Sequence, residues 1–220
     1  MQREDILDRY RHLRAISTRH HSAALGCLAR PAILQQAKRL GLAYAQALVA
    51  ESEEEMTLIF DLALHTAKSG RSRAIDRYAK AVPLSGGSDE ARALDAICGA
   101  RFSVWRIERH HEIAGLIVTD VLRDSKTWLV DEALTISAQP GLAFAGRLCW
   151  PAEFAMTCGV VVPVDAEILE DVMLDSPASL RNADPHQLAD DPRFAAAIYR
   201  SAIDAGIMDC VEFKEPANAA

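Results

Sequence analysis

"RFSVWRIE", residues 101–108, is where the chain changes rhythm. Successive side chains of an extended strand point to opposite faces, so Phe102 and Val104 fall on one side and Trp105 and Ile107 on the other. Four more segments of strand character follow: GLIVTDVL, TWLVDEA, LAFAGRLCW and FAMTCGVVVPV. ERHHEIAG, RDSK, SAQPG and WPAE separate them, and Pro140–Gly141 has the form of a type II turn with glycine at positive φ. Five short strands would leave bare edges as an open sheet, and closure into a small SH3-like or OB-like barrel removes those edges. The apolar strand faces also call for helices packed against them.

On either side the period is helical. Ile6, Tyr10 and Leu13 recur at i, i+4 and i+7, and a break near Ser17–Thr18 offers a cap for a second helix to about Ala29. Pro31 suits the first turn of the next helix, which stops at Gly41. In ESEEEMTLIFDLALHTAKSG, Ser52 and Glu55 form a capping box, Glu53, Glu54 and Glu55 suit the positive end of the helix, and Lys68 and Gly70 mark its end. PLSGGSDE is a linker ahead of a short helix capped by Ser88 or Asp89. Near the C-terminus Asp191 caps a helix, Pro192 opens it, and Phe194, Ile198, Tyr199 and Ile203 form its stripe. The expected fold class is therefore α+β: a helical N-terminal region (1–97), a five-stranded small β-barrel (98–165), and C-terminal helices (166–220) packing on the rest.

Half of the 220 residues are hydrophobic and a quarter charged, which is ordinary globular composition. No apolar run is long enough for a membrane span, and the charged N-terminus lacks a signal core. The five cysteines, at positions 27, 98, 149, 158 and 210, form no C-x-x-C pair, so reduced thiols and a cytoplasmic location are expected. The net charge of −7 conceals a basic head and an acidic tail, which can attract each other within a chain or between copies.

The sharpest chemical feature is the repeated Arg-His-His, with His20 and His21 in one copy and His110 and His111 in the other. Zinc needs three or four convergent donors. Adjacent helical histidines diverge by about 100°, so a metal would require His12, His20 or His21 to meet His110 or His111, helped by Cys27 or Glu108. The expectation is no metal and no cofactor, with both pairs as polar corners. Cys27 is expected to be a buried small hydrophobe, and Cys149 and Cys158 to pack on neighbouring strands. Asp120, Asp124, Asp131 and Glu132 cluster near one hairpin, where paired carboxylates could do acid–base work, but they read better as a charged rim. AKRLGLAYAQALVA has helix-turn-helix spacing, yet its second half offers little to base edges or phosphates.

RYRHLRAI, ESEEEMTLIFDLALH, GSDEARALDA, RFSVWRIE with AGLIVTDVL, and PGLAFAGRLCWPAEFAMTCGVVVPV together resemble a family of uncharacterised bacterial proteins. The likeness spans roughly residues 3–165. It implies a helical N-terminal region followed by a small β-barrel, and brings no activity with it. The leading functional expectation is a non-enzymatic protein-interaction or adaptor module, with a protein partner or self-association and no membrane. The alternatives are a metal-dependent hydrolytic enzyme using the paired histidines, and a nucleic-acid binder using Arg9, Arg11, Arg14, Arg19, Lys38 and Arg39. Nucleic acid is disfavoured, because residues 98–165 carry more acidic than basic groups.

Overall fold

Strands form where the alternation begins. In the computed structural model, which describes residues 2–67 and 70–207, β3 (Arg101–His110), β4 (Leu116–Asp120), β5 (Ser125–Leu129), β6 (Ala143–Cys149) and β7 (Met156–Val164) make one antiparallel sheet in the order β5-β4-β3-β6-β7. A small two-stranded pair, β1 (Ala43–Tyr44) and β2 (Ala47–Leu48), precedes it. The helices are α1 (Arg3–Gly26), α2 (Arg30–Leu40), α3 (Glu53–His65), α4 (Ala74–Ala81), α5 (Asp89–Cys98), α6 (Glu132–Ser137), α7 (Ala166–Asp175), α8 (Ala178–Arg181), α9 (Pro185–Asp190) and α10 (Pro192–Asp204).

The five-stranded sheet is open, and the expected barrel is not formed. The edge strands approach at a single corner, where Ala155 donates its N–H to Trp128 O at 2.7 Å and accepts from Val130 N at 2.9 Å. Elsewhere the edges stay apart, and helices cover the faces of the sheet. One face of the sheet, with Phe102, Val104, Ala145, Val160 and Val162, is buried against α2, α3, α7 and α10. The opposite face carries Trp105, Ile107, Leu116, Val118, Leu129 and Phe144 around a second core, with Leu134 and Ala138 of α6 or its flank packed against it. A third cluster joins α1, α3, α4 and α5 to Cys149, Met156 and Cys158.

Several local signals operate as their chemistry requires. Ser52 accepts from Glu55 N at 3.1 Å, while Glu55 reaches back to Glu51 N at 2.6 Å. Gly41 ends α2 in the left-handed conformation at φ 80°, and Gly141 takes φ 92° after Pro140. Gly115 at φ 77° has no room for a side chain, since a Cβ there would stand 2.2 Å from Leu129 O.

Other signals are overruled by packing. α1 runs unbroken through Ser17–Thr18, because Ile16, His20 and Ala24 extend its buried stripe and outweigh the weak helix preference of those two residues. α3 ends at His65, earlier than Gly70, with Thr66 Oγ1 donating to Leu62 O at 2.6 Å. The would-be recognition helix after Gly41 is the β1–β2 hairpin. α6 arises where only strand and turn were expected, capped by Asp131. Lys68, Cys210 and residues 208–220 of the expected C-terminal segment lie outside the described residues.

The helices of the first face are tied to the sheet by a buried ionic triad. Arg147 on β6 donates Nε to both Asp61 oxygens (2.9 and 3.1 Å), and Tyr199 on α10 donates its hydroxyl to Asp61 Oδ2 at 3.0 Å. Removing one member strands a buried charge. Arg147→Met is expected to lower stability in urea unfolding by about 3–5 kcal/mol. The double variant Asp61→Leu/Arg147→Met is expected to recover a large part of that loss.

Candidate functional site

α3 is apolar on its buried side except at Asp61 and His65, one turn apart. Asp61 is satisfied by the triad. His65 is not: it is 6% exposed, and neither ring nitrogen has a hydrogen-bond partner among the described residues. Buried polar atoms without partners are uncommon and destabilising.

His65 faces two other donor groups. His21 projects from α1, its ring centroid 6.2 Å from that of His65. Cys158 projects from β7, with Sγ 3.5 Å from His21 Nε2. One donor atom from each residue can be chosen so that all three lie within 4.8 Å of one another. His21 Nδ1 stands 3.0 Å from Ser17 O. A carbonyl only accepts, so in the neutral ring Nδ1 carries the proton and Nε2 keeps its lone pair toward Cys158. That is the arrangement by which a backbone carbonyl orients a metal-binding histidine.

The spacing suits an ion. Bonds of about 2.0–2.1 Å to nitrogen and about 2.3 Å to sulfur at a tetrahedral angle put those donors about 3.6 Å apart, close to the 3.5 Å between His21 Nε2 and Cys158 Sγ. A hydrogen-bonded core would explain that one contact, but it leaves His65 unexplained.

The electrostatics bear on each donor differently. Burial pushes His65 well below the ordinary histidine range, helped by Arg147, His21 and Arg73, so its lone pair is free. Contact with the Cys149 thiol, then burial, holds the Cys158 thiol well up. Burial opposes charge on His21, but Cys158, the Ser17 carbonyl and Asp61 together raise it. A thiophilic ion would therefore have to displace protons, as thiolate and imidazole sites require.

A cleft of about 260 Å³ opens beside the cluster, walled by Arg14, Thr18, His21, Ser22, Asp61 and His65 with apolar Leu25, Phe60 and Leu64. Gly159 forms part of the wall at φ 100°, and a Cβ there would press to 3.3 Å from Asp61 Oδ1. A larger, more open hollow of about 480 Å³ beside the start of α3 offers Glu51 and Glu53 as its ionisable groups.

The residues singled out from the sequence are distributed as follows. His20 turns away from His21, with Nδ1 3.1 Å from the Tyr78 hydroxyl and Nε2 3.2 Å from Glu90 O. His110 is exposed at the end of β3, and His111 stacks on Trp128 at 4.1 Å. Neither belongs to the His21–His65–Cys158 group. His12 and Arg9 bind Asp89, and Glu108 pairs with Arg106. Cys27 is exposed rather than buried, because α1 ends at Gly26 and leaves it as the C-cap.

Arg11 pairs with Glu132 and Asp8, and Arg14 binds Asp131 and Thr157. Arg19, Lys38 and Arg39 are exposed. Asp120 is buried and accepts from Ser103, Leu122 N and Arg123. Asp131 caps α6, while Asp124 occupies a positive-φ turn position. Asp120 and Asp131 thus hold the fold together. Among the described residues, no helix is long and apolar enough to cross a membrane.

A family model described as "Family of unknown function (DUF7986)" matches residues 4–208. The chain belongs to this family. No curated protein and no solved structure matches the chain. For this DUF7986 protein the geometry of its own residues is therefore the guide. His65 and Asp61 had a readable signal, two polar residues at i, i+4 in an otherwise apolar helix face. The meeting of His21 with Cys158, 137 residues apart, had none.

His65→Leu tests whether His65 is retained at the expense of stability. The folded pKa lies below the unfolded reference of 6.5. Acid therefore protonates the unfolded chain first, and stability is lost as pH falls from that reference toward the folded value. The variant is expected to be about 1–3 kcal/mol more stable than the parent in metal-free buffer at neutral pH. In urea unfolding the gap is expected to widen below pH 6.5.

Proposed function

We propose that this protein binds a thiophilic divalent ion, zinc in the first instance, through His21, His65 and Cys158. The observation that carries this reading is His65: a buried imidazole with both nitrogens unpaired, facing a second histidine already oriented by a carbonyl and a buried thiol. Two imidazoles and a thiolate suit zinc, which imposes no electronic geometry. Copper centres with the same donors commonly add a long axial thioether, and among the described residues no methionine lines the cleft. Thiolate ligation needs reduced cysteine, in keeping with the cytoplasmic setting expected from the scattered thiols. His21 thus takes the metal role considered from the sequence, with His65 and Cys158 in place of His110 and His111.

The test is metal titration of the reduced, metal-free chain. One equivalent of zinc is expected to bind and to stabilise the fold by about 2.7 kcal/mol when free zinc is 100-fold above Kd. Cobalt is expected to give a thiolate-to-metal charge-transfer band that is absent from Cys158→Ser. Binding that survives both Cys158→Ser and His65→Leu would overturn the reading.

A second reading, protein contact, is favoured by the β1–β2 hairpin. Tyr44 is 80% exposed there, beside exposed Leu48 and Val49. If this patch mediates self-association, sedimentation velocity is expected to show a concentration-dependent oligomer that Tyr44→Ser/Leu48→Ser converts to monomer.

A further inference from the structure

Among the described residues, no fourth carboxylate, cysteine or histidine comes within the common 4.8 Å reach of His21, His65 and Cys158. Sites that only stabilise a fold are usually closed by four protein donors, whereas three donors beside an accessible cavity leave one coordination position exchangeable. Here the cavity is the cleft that His21 and His65 themselves line.

From this we infer that the cleft takes a small carboxylate with a short apolar body, its carboxylate on the ion and its body along Leu25, Phe60 and Leu64. The inference rests on the metal reading above. Charge selects the head group. A divalent ion with one thiolate and two neutral imidazoles keeps one positive charge, and the Asp61 carboxylate in the wall is already held by Arg147 and Tyr199. An anion is thus favoured at the free position. Shape selects the body. Leu25 and Phe60 are partly buried and Leu64 is buried, so the cleft offers apolar surface beyond the ion, while Thr18 and Ser22 stand at its exposed rim. Size sets the limit: about 260 Å³ falls below the roughly 300–1,000 Å³ of pockets for drug-sized ligands, so the occupant is a molecule of a few carbons.

The experiment uses the full chain loaded with cobalt, whose visible spectrum reports its ligands, and titrates it with acetate, butyrate and acetohydroxamate. All three are expected to change the spectrum saturably. Butyrate is expected to bind about tenfold more tightly than acetate, from its two additional buried methylenes. Ser22→Trp, at the exposed rim, is expected to leave the cobalt spectrum as it was and to weaken butyrate by about tenfold or more.

A loaded protein whose spectrum ignores all three probes overturns the inference while leaving metal binding intact. Acetate and butyrate binding equally well overturns the apolar body. A chain that takes up no cobalt removes the metal reading, and this inference falls with it.

Discussion

The buried contact of Asp61 with Arg147 and Tyr199 sets the positions of the elements that matter. It ties α3 to β6, an inner strand of the sheet, and to α10, through residues that are 86 and 138 positions from Asp61 in sequence. Charges in such a setting are tolerated only when paired and hydrogen-bonded, so the contact is strict about geometry even where its net contribution to stability is small. Once α3 is fixed in rotation and height, His65 is fixed one turn further on. β7 is fixed too, because Gly159 comes so near Asp61 Oδ1 that a side chain would crowd it, and Cys158 is the neighbour of that glycine.

The two buried polar residues of α3 therefore behave oppositely. Asp61 is answered by its neighbours, while His65 receives, among the described residues, none of the hydrogen bonds its burial demands. Local rules are usually broken where a site is needed. A core that wanted only packing would place leucine at position 65. A core that wanted only a hydrogen-bonded histidine would supply a carbonyl, as it does for His21 and His20.

Much of the architecture was legible from the sequence, for a physical reason. Capping at Ser52 and Asp191, the left-handed stop at Gly41 and the alternation from Phe102 onward are governed by neighbours a few residues away. What was not legible depended on distant partners. The period of the strands shows which faces are buried, but not whether the two edge strands pair with each other, so the sheet is open where a barrel was expected. Ser17 and Thr18 look like a break until the stripe running through His20 and Ala24 is given something to pack on. His21 could be suspected for its chemistry, but its companions come from α3 and β7, and only the folded chain brings these together.

The divergence of neighbouring side chains on α1 has one more consequence. A rod of 24 residues, about 36 Å long at 1.5 Å per residue, can in principle roll about its own axis while keeping its apolar stripe roughly covered. His20 opposes that roll through its contacts with the Tyr78 hydroxyl and the Glu90 carbonyl, alongside the contacts of Arg9 and Arg14. The first imidazole of the pair acts as a detent, and the aim of the second is the setting it holds.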